Sequence, residues 1–172
     1  TPAARAFVSL LDSAGRVVEE RVAGVTPWTF AYDIEGRVVA LAQGVRSAAL
    51  AYDAAGFLSS VVDPLGRTWS YAHDAVGRVT KEVLPDLREV RYTYDGNGNV
   101  TSVTPPARPA HNFSYTPVDL ESEYAPPAIV TPSATQYAYN RDRQMTRVTR
   151  PDGQVIDFGY DTGGRLAGVT TA

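Results

Sequence analysis

The sequence has no cysteine. Disulfides and thiolate metal sites are excluded, and the compartment is left open. Long apolar runs are also missing, and none approaches the roughly 20 residues of a membrane-spanning helix. The opening residues, TPAARAFVSLLDSAG, lack the apolar centre of a signal peptide and run straight into patterned sequence. Any export signal is therefore expected outside this chain. Excess charge is small: 16 Lys and Arg against 19 Asp and Glu leave a net −3. That balance gives no basis for nucleic acid or an anionic membrane as partner. Sustained 3.6-residue periodicity is absent too, so little helix is expected. RSAALA, Arg46 to Ala51, is the best helical stretch, and its place in the pattern described below favours strand.

What is present points to strands punctuated by turns. There are 10 Tyr, 14 Gly and 12 Pro in 172 residues. With 44% hydrophobic and 20% charged residues, the chain reads as globular, and long enough for one sizeable domain with a core.

A repeat of about 21 residues organises the whole chain. An aromatic–Asp pair followed by Gly appears as YDIEGR at Tyr32, YDAAGF at Tyr52, HDAVGR at His73, YDGNGN at Tyr94 and YDTGGR at Tyr160. A weaker copy, LDSAGR, starts at Leu11, and degenerate copies start at Tyr115 (YTPVDL) and Tyr139 (YNRDRQ). The successive spacings are 21, 20, 21, 21, 21, 24 and 21. The array is therefore read as one domain, residues 1–172. Its unit at 115–138 is irregular, three residues longer than its neighbours, with Asp119 where Gly is expected. That unit carries Pro117, Pro126, Pro127 and Pro132, and reads as an irregular turn or protruding loop suited to chain-specific function.

Each unit has one internal grammar. A strand-like run follows the Gly, a Pro-centred break follows the run, and a second run leads to the next aromatic–Asp pair. Two such runs separated by turn signals make a β-hairpin. In the turns Tyr32–Asp33–Gly36, Tyr52–Asp53–Gly56, His73–Asp74–Gly77, Tyr94–Asp95–Gly98 and Tyr160–Asp161–Gly164, Asp is placed to cap backbone N–H groups. Gly is placed to take the left-handed position. Counting back by twos from each start gives columns such as Trp28–Phe30–Tyr32, Trp69–Tyr71–His73 and Ile156–Phe158–Tyr160. Alternate strand residues share a face, so each unit stacks large side chains on one face. The other run is less regular. Val38 and Leu41, or Leu58 and Val61, are three apart, which requires either a bulge or cover on both faces. The reading is all-β: about seven and a half tandem antiparallel hairpins, some 15 strands, in one long, twisted, curved sheet.

Chemistry-bearing candidates weigh against that frame as follows. YDGNGNVTSV places Asp95, Asn97 and Asn99 at alternate positions, like the start of a calcium loop. Counted from Asp95, position six is Val100 and position twelve is Pro106, where such a loop needs Gly and Glu. A turn cap explains this Asp together with Asp33, Asp53, Asp74 and Asp161, so neither metal nor cofactor is expected. His73 and His111 occupy aromatic columns and read as packing residues. Ser59, Ser60, Ser70, Ser102 and Ser114 lie in strand runs, outside any G-x-S-x-G elbow. No enzymatic site is expected. Repeated aromatics on a sheet could also stack on sugars, and Trp28, Trp69 and Tyr124 are the candidate glycan or partner contacts.

The stretch from Tyr52 to Val79, YDAAGFLSSVVDPLGRTWSYAHDAVGRV, closely resembles the YD repeat of the Rhs family. That family pattern is Y-D-x-x-G-R-L, a short run, then P-x-G and Y-x-Y-D. The family includes bacterial Rhs proteins, the BC part of Tc toxins and the teneurins of animals. The resemblance implies hairpins laid side by side in a strip that spirals into a hollow β-shell. In the toxins such a shell encloses a C-terminal cargo; in teneurins it belongs to an adhesion ectodomain. The D-P-x-G-L core motif and a toxin domain are absent from these residues, so neither self-cleavage nor toxicity is carried over. The resemblance implies a wall segment of a larger secreted or surface-exposed bacterial protein. Its partners would be the rest of the shell and an enclosed cargo, with glycan binding or adhesion as the alternative. Bare edge strands are expected to pair with another copy or to be covered by the chain's own termini.

Overall fold

A computed structural model describes residues 6–127 and 134–172. It is all-β, with sixteen strands and no helix among the described residues. The chain divides into two compact units, Thr1–Arg88 and Glu89–Ala172. The first holds β1 (Phe7–Leu11), β2 (Val17–Val22), β3 (Trp28–Tyr32), β4 (Val38–Gln43), β5 (Arg46–Tyr52), β6 (Leu58–Val62), β7 (Thr68–His73) and β8 (Val79–Val83). The second holds β9 (Glu89–Tyr94), β10 (Val100–Thr104), β11 (His111–Tyr115), β12 (Glu121–Ala125), β13 (Thr135–Tyr139), β14 (Met145–Thr149), β15 (Val155–Tyr160) and β16 (Leu166–Thr171). Within each unit the strands lie in sequence order and pair antiparallel with their chain neighbours. One strand more than expected is present, because Phe7–Leu11 pairs with β2 ahead of the first aspartate turn. RSAALA lies within β5.

One hairpin turn recurs on this framework. In the turn after Tyr32, the Asp33 N–H donates to the Arg37 carbonyl at 3.0 Å, and the Gly36 N–H to the Asp33 carbonyl at 3.1 Å. The same pair of bonds forms at Asp12, Asp53, Asp74, Asp95 and Asp161. A turn of this kind ends on a left-handed residue, which glycine adopts without steric cost. The Pro-centred break at Asp63–Arg67 uses the same bonds, with Gly66 at φ +77°. The position accepts other residues at some cost: Leu87, Asp119 and Arg143 all have positive φ there.

The unit from Tyr115 to Ala138 keeps this turn. The Thr116 N–H reaches the Leu120 carbonyl at 2.7 Å, and Asp119 takes the glycine position at φ +61°. The added length instead falls between β12 and β13, beyond Pro126 and Pro127. Pro132 lies outside the described residues.

A β-bulge beside each aspartate turn settles the facing of the first strand. Ala31 pairs with Ala40 but Tyr32 pairs with Val38, so Val39 is the extra residue. Ser59, Thr80 and Thr101 are passed over in the same way, as are Ser122, Thr146 and Ala167. The extra residue shifts the alternation by one. Val38 then opposes Tyr32 while Leu41 opposes Phe30, and two residues three apart share the aromatic face. Leu58 opposite Tyr52 and Val61 opposite Leu50 repeat the arrangement.

The expectation of a domain core needs correction. No described residue is fully buried. Each unit is a single layer of sheet, and a core forms between two layers. The aromatic face is half-buried by its own neighbours, as in β11 and β13, where covered and exposed residues alternate. β1 and β16 are exposed along their whole length.

Candidate functional site: the aspartate turn and its tyrosine staple

The repeated site begins with a carboxylate. Asp33 Oδ1 accepts the Arg37 N–H at 2.8 Å, and Oδ2 accepts Arg37 Nε at 2.7 Å. Asp74 does the same with Val76 and Arg78, and Asp161 with Gly163 and Arg165. Asp12 and Asp63 share the pattern through Arg16 and Arg67. These bonds stabilise the charged carboxylate. The Arg16 and Arg165 N–H groups lead in holding Asp12 and Asp161 below the usual carboxylate range. At Asp33, Asp63 and Asp74 lost hydration pulls upward, and the combined bonds from arginine outweigh it.

Substituted turns keep the geometry with other groups. Asn140 Oδ1 accepts the N–H groups of Asp142 and Gln144, both at 3.0 Å. Thr116 Oγ1 accepts that of Leu120 at 3.1 Å. Asp53 accepts the Ala55 and Phe57 N–H groups, and Phe57 replaces the usual arginine. Asp95 accepts from Asn97, Asn99 and the Asn99 amide, and that amide, foremost, lowers its pKa. Asn97 and Asn99 also donate to Asp119 in the next turn, each at 2.8 Å. Among the described residues no group of three or more His, Asp or Glu could hold a metal ion.

Five tyrosines tie their turns to the preceding hairpin. The Tyr32 hydroxyl donates to the Val17 carbonyl at 2.7 Å, and that of Tyr52 to the Val38 carbonyl at 2.8 Å. Tyr115 reaches Val100, Tyr139 reaches Glu121 and Tyr160 reaches Met145, each at 2.8 Å. All five acceptors sit at a bulge: Val38, Val100, Glu121 and Met145 oppose a tyrosine there, and Val17 opposes Leu11. A bulge disrupts the ladder locally, and the hydroxyl gives a carbonyl beside it a bonding partner. Lost hydration, followed by nearby carboxylate charge, raises the pKa of Tyr115 and Tyr139, which keeps them donors.

The residue after the glycine reaches forward in the same way. The Arg16 guanidinium lies 4.7 Å from the Tyr32 ring centre, and that of Arg37 lies 4.4 Å from Tyr52. Gln144 Nε2 donates to the Gly164 carbonyl at 2.7 Å. Phe57 packs so closely on the next turn that a Cβ at Gly77 would sit 2.5 Å from its ring. Sequence reasoning found the turn but missed both links across hairpins. The signal was available: Arg16–Tyr32, Arg37–Tyr52 and Phe57–His73 recur at nearly constant offset.

The remaining candidates are dispersed. Trp28, at the start of β3, is 40% exposed. Trp69 is half-covered, with the Arg67 guanidinium 5.5 Å from its ring centre. Tyr124 lies between Phe113 and His111, with ring centres 5.3 and 5.9 Å away, and its hydroxyl is 2.7 Å from His111 Nδ1. Tyr94 ends β9, and Gly98 closes its turn at φ +97°.

These features define a class: a tandem-hairpin repeat protein in which a turn and a bulge recur and five tyrosines fasten their hairpins to the ones before. The family model of the teneurin YD-shell matches residues 7–172, and the chain belongs to that family. Solved structures share the fold. The TcdB2-TccC3-Cdc42 crystal structure matches with a TM-score of 0.69 at 18% identity, covering 92% of this chain and 10% of that one. The Tc holotoxin pore of Photorhabdus luminescens matches at 0.66 and 16% identity, covering 95% and 12%. The TcdB2-TccC3-TEV crystal structure matches at 0.68 and 17%, covering 97% and 10%. This chain thus spans about a tenth of the length of the solved chains it resembles. No curated protein matches it.

Proposed function

We propose that this chain is a non-enzymatic wall segment of a secreted or cell-surface β-shell that encloses a polypeptide cargo. One observation carries the reading. The chemistry repeated along the described residues joins hairpin to hairpin: Asp to its turn, and Tyr to the carbonyl of the hairpin before. The functional partner is then the rest of the same shell and whatever lies inside it. The test is limited proteolysis of the full-length protein that contains this segment. Enclosure predicts that a downstream polypeptide resists protease until the shell is unfolded. A downstream polypeptide cut at the rate of a free one overturns enclosure.

A second reading rests on the exposure of Trp28. Exposed aromatic rings stack on sugars, and an adhesive surface predicts glycan-array signals that Trp28→Ala removes. The exposed edge strands β1 and β16 support a further expectation for the isolated chain, edge-to-edge association. Sedimentation that stays monomeric at high concentration would count against it.

A further inference from the structure

One step of the array departs from the others in a coordinated way. At Asp33 the carboxylate holds Arg37, whose guanidinium then covers Tyr52. At Asp53 the residue in the arginine position is Phe57, and the residue in the next tyrosine position is His73. The phenylalanine ring packs on the imidazole, with ring centres 5.3 Å apart. A nitrogen-bearing side chain thus stands at the tyrosine position and none at the arginine position. His73 Nδ1 lies 3.8 Å from Asp53 Oδ2, and the His73 side chain is only 8% exposed. That nitrogen is buried and makes no hydrogen bond. A buried polar atom without a partner is uncommon and calls for a reason.

We propose that Asp53 and His73 form a proton-operated clasp between two successive turns. Neutral imidazole with its proton on Nε2 turns a lone pair toward the carboxylate and holds off at 3.8 Å. A proton on Nδ1 converts that lone pair into a donor aimed at Asp53 Oδ2, and the ring becomes a cation beside an anion. Asp53 Oδ1 stays on the Ala55 and Phe57 N–H groups, so the turn itself is kept. Acid thus gives this step the charge pair that arginine gives its neighbours without a proton taken up.

The surrounding charges allow this. In the turn after His73, Asp74 is already paired with Arg78 at 2.6 Å. From β8, Glu82 shares the aromatic face but opposes Tyr71, while Lys81 opposes Ala72 on the other face. β6 (LSSVV) carries no titratable group. From β5, Tyr52 is bonded to the Val38 carbonyl and covered by Arg37, which holds Asp33.

The test is amide hydrogen exchange on the whole chain at pH 5.5 and pH 8, corrected for intrinsic rates. The 33–37 turn serves as internal control. The clasp predicts that protection of the 53–57 turn, relative to 33–37, rises about fivefold at the acid pH, the scale of a part-exposed ion pair. His73→Tyr, which restores the residue usual in this position, should abolish that rise. Phe57→Arg should give high protection at both pH values. Should His73→Tyr fail to fold, Asp53→Asn keeps a capping oxygen, as Asn140 does, and should also abolish the rise. An unchanged rise in these variants, or equal protection at both pH values in the native chain, overturns the proposal.

Discussion

Between Asp33 and Tyr52 the array fastens its turn with an arginine that also covers the next ring. Between Asp53 and His73 the same backbone holds a phenylalanine against an imidazole. Turn hydrogen bonds, bulge and left-handed glycine are alike in the two steps. The difference shows that the backbone grammar of the repeat tolerates replacement of its side-chain fastener. A polar link yields orientation and charge; an aromatic link yields shape and close approach.

The largest effect should come from breaking the close approach. Gly77→Ala meets both a positive φ of +86° and the Phe57 ring at 2.5 Å. Gly56→Ala meets a positive φ of +92° and only the end of a flexible arginine at 3.4 Å. Urea unfolding should show a loss of about 3 kcal/mol for Gly77→Ala and about 1 kcal/mol for Gly56→Ala. Equal losses would mean that the ring moves aside freely. Shortening Phe57 to Leu in the Gly77→Ala background should recover part of the difference.

Next in size is the tyrosine staple. Tyr52→Phe removes the donor to the Val38 carbonyl and should cost about 1 kcal/mol. The step that ends at His73 has no such hydroxyl to lose.

Acid sharpens the comparison between fasteners. Bonds from arginine lower the pKa of Asp12, Asp33, Asp74 and Asp161 in the folded chain. A lowered folded pKa gives stability that is present above the unfolded value, about 3.9. It is lost as pH falls below that value through the folded one. Turn amides at these positions should therefore lose protection below about pH 4, and Arg37→Gln should flatten that response at Asp33 alone. The smallest effect should follow the exposed pair Arg147–Asp157. Arg147→Gln should leave Tm within about 1 °C.

Much of this architecture was legible because single residue types met single needs. A left-handed turn position calls for glycine, and a capped turn calls for Asp, so Asp33 and Gly36 announced the hairpin register. Where other residues fill those positions, as at Asp119 or Arg143, the backbone was hidden behind an ordinary side chain. The bulge was half visible, as the odd spacing of Val38 and Leu41. Choosing bulge over two-sided cover needed the pairing of Tyr32 with Val38. The missing core could not be read from length, because apolar content does not tell whether a second layer faces the first. The tyrosine staple was hidden for another reason. Its acceptor is a backbone carbonyl, and every residue has one.

That last property bears on how such a chain can change over generations. Each tyrosine needs a carbonyl at a set place in the hairpin before it, and the identity of that residue is immaterial: Val17, Val38, Val100, Glu121 and Met145 all serve. Unequal crossing-over between two copies of the coding repeat adds or removes a whole hairpin and leaves every hydroxyl with an acceptor. A deletion of half a copy strands one. The array can therefore lengthen or shorten by whole units while the sequences of those units drift apart.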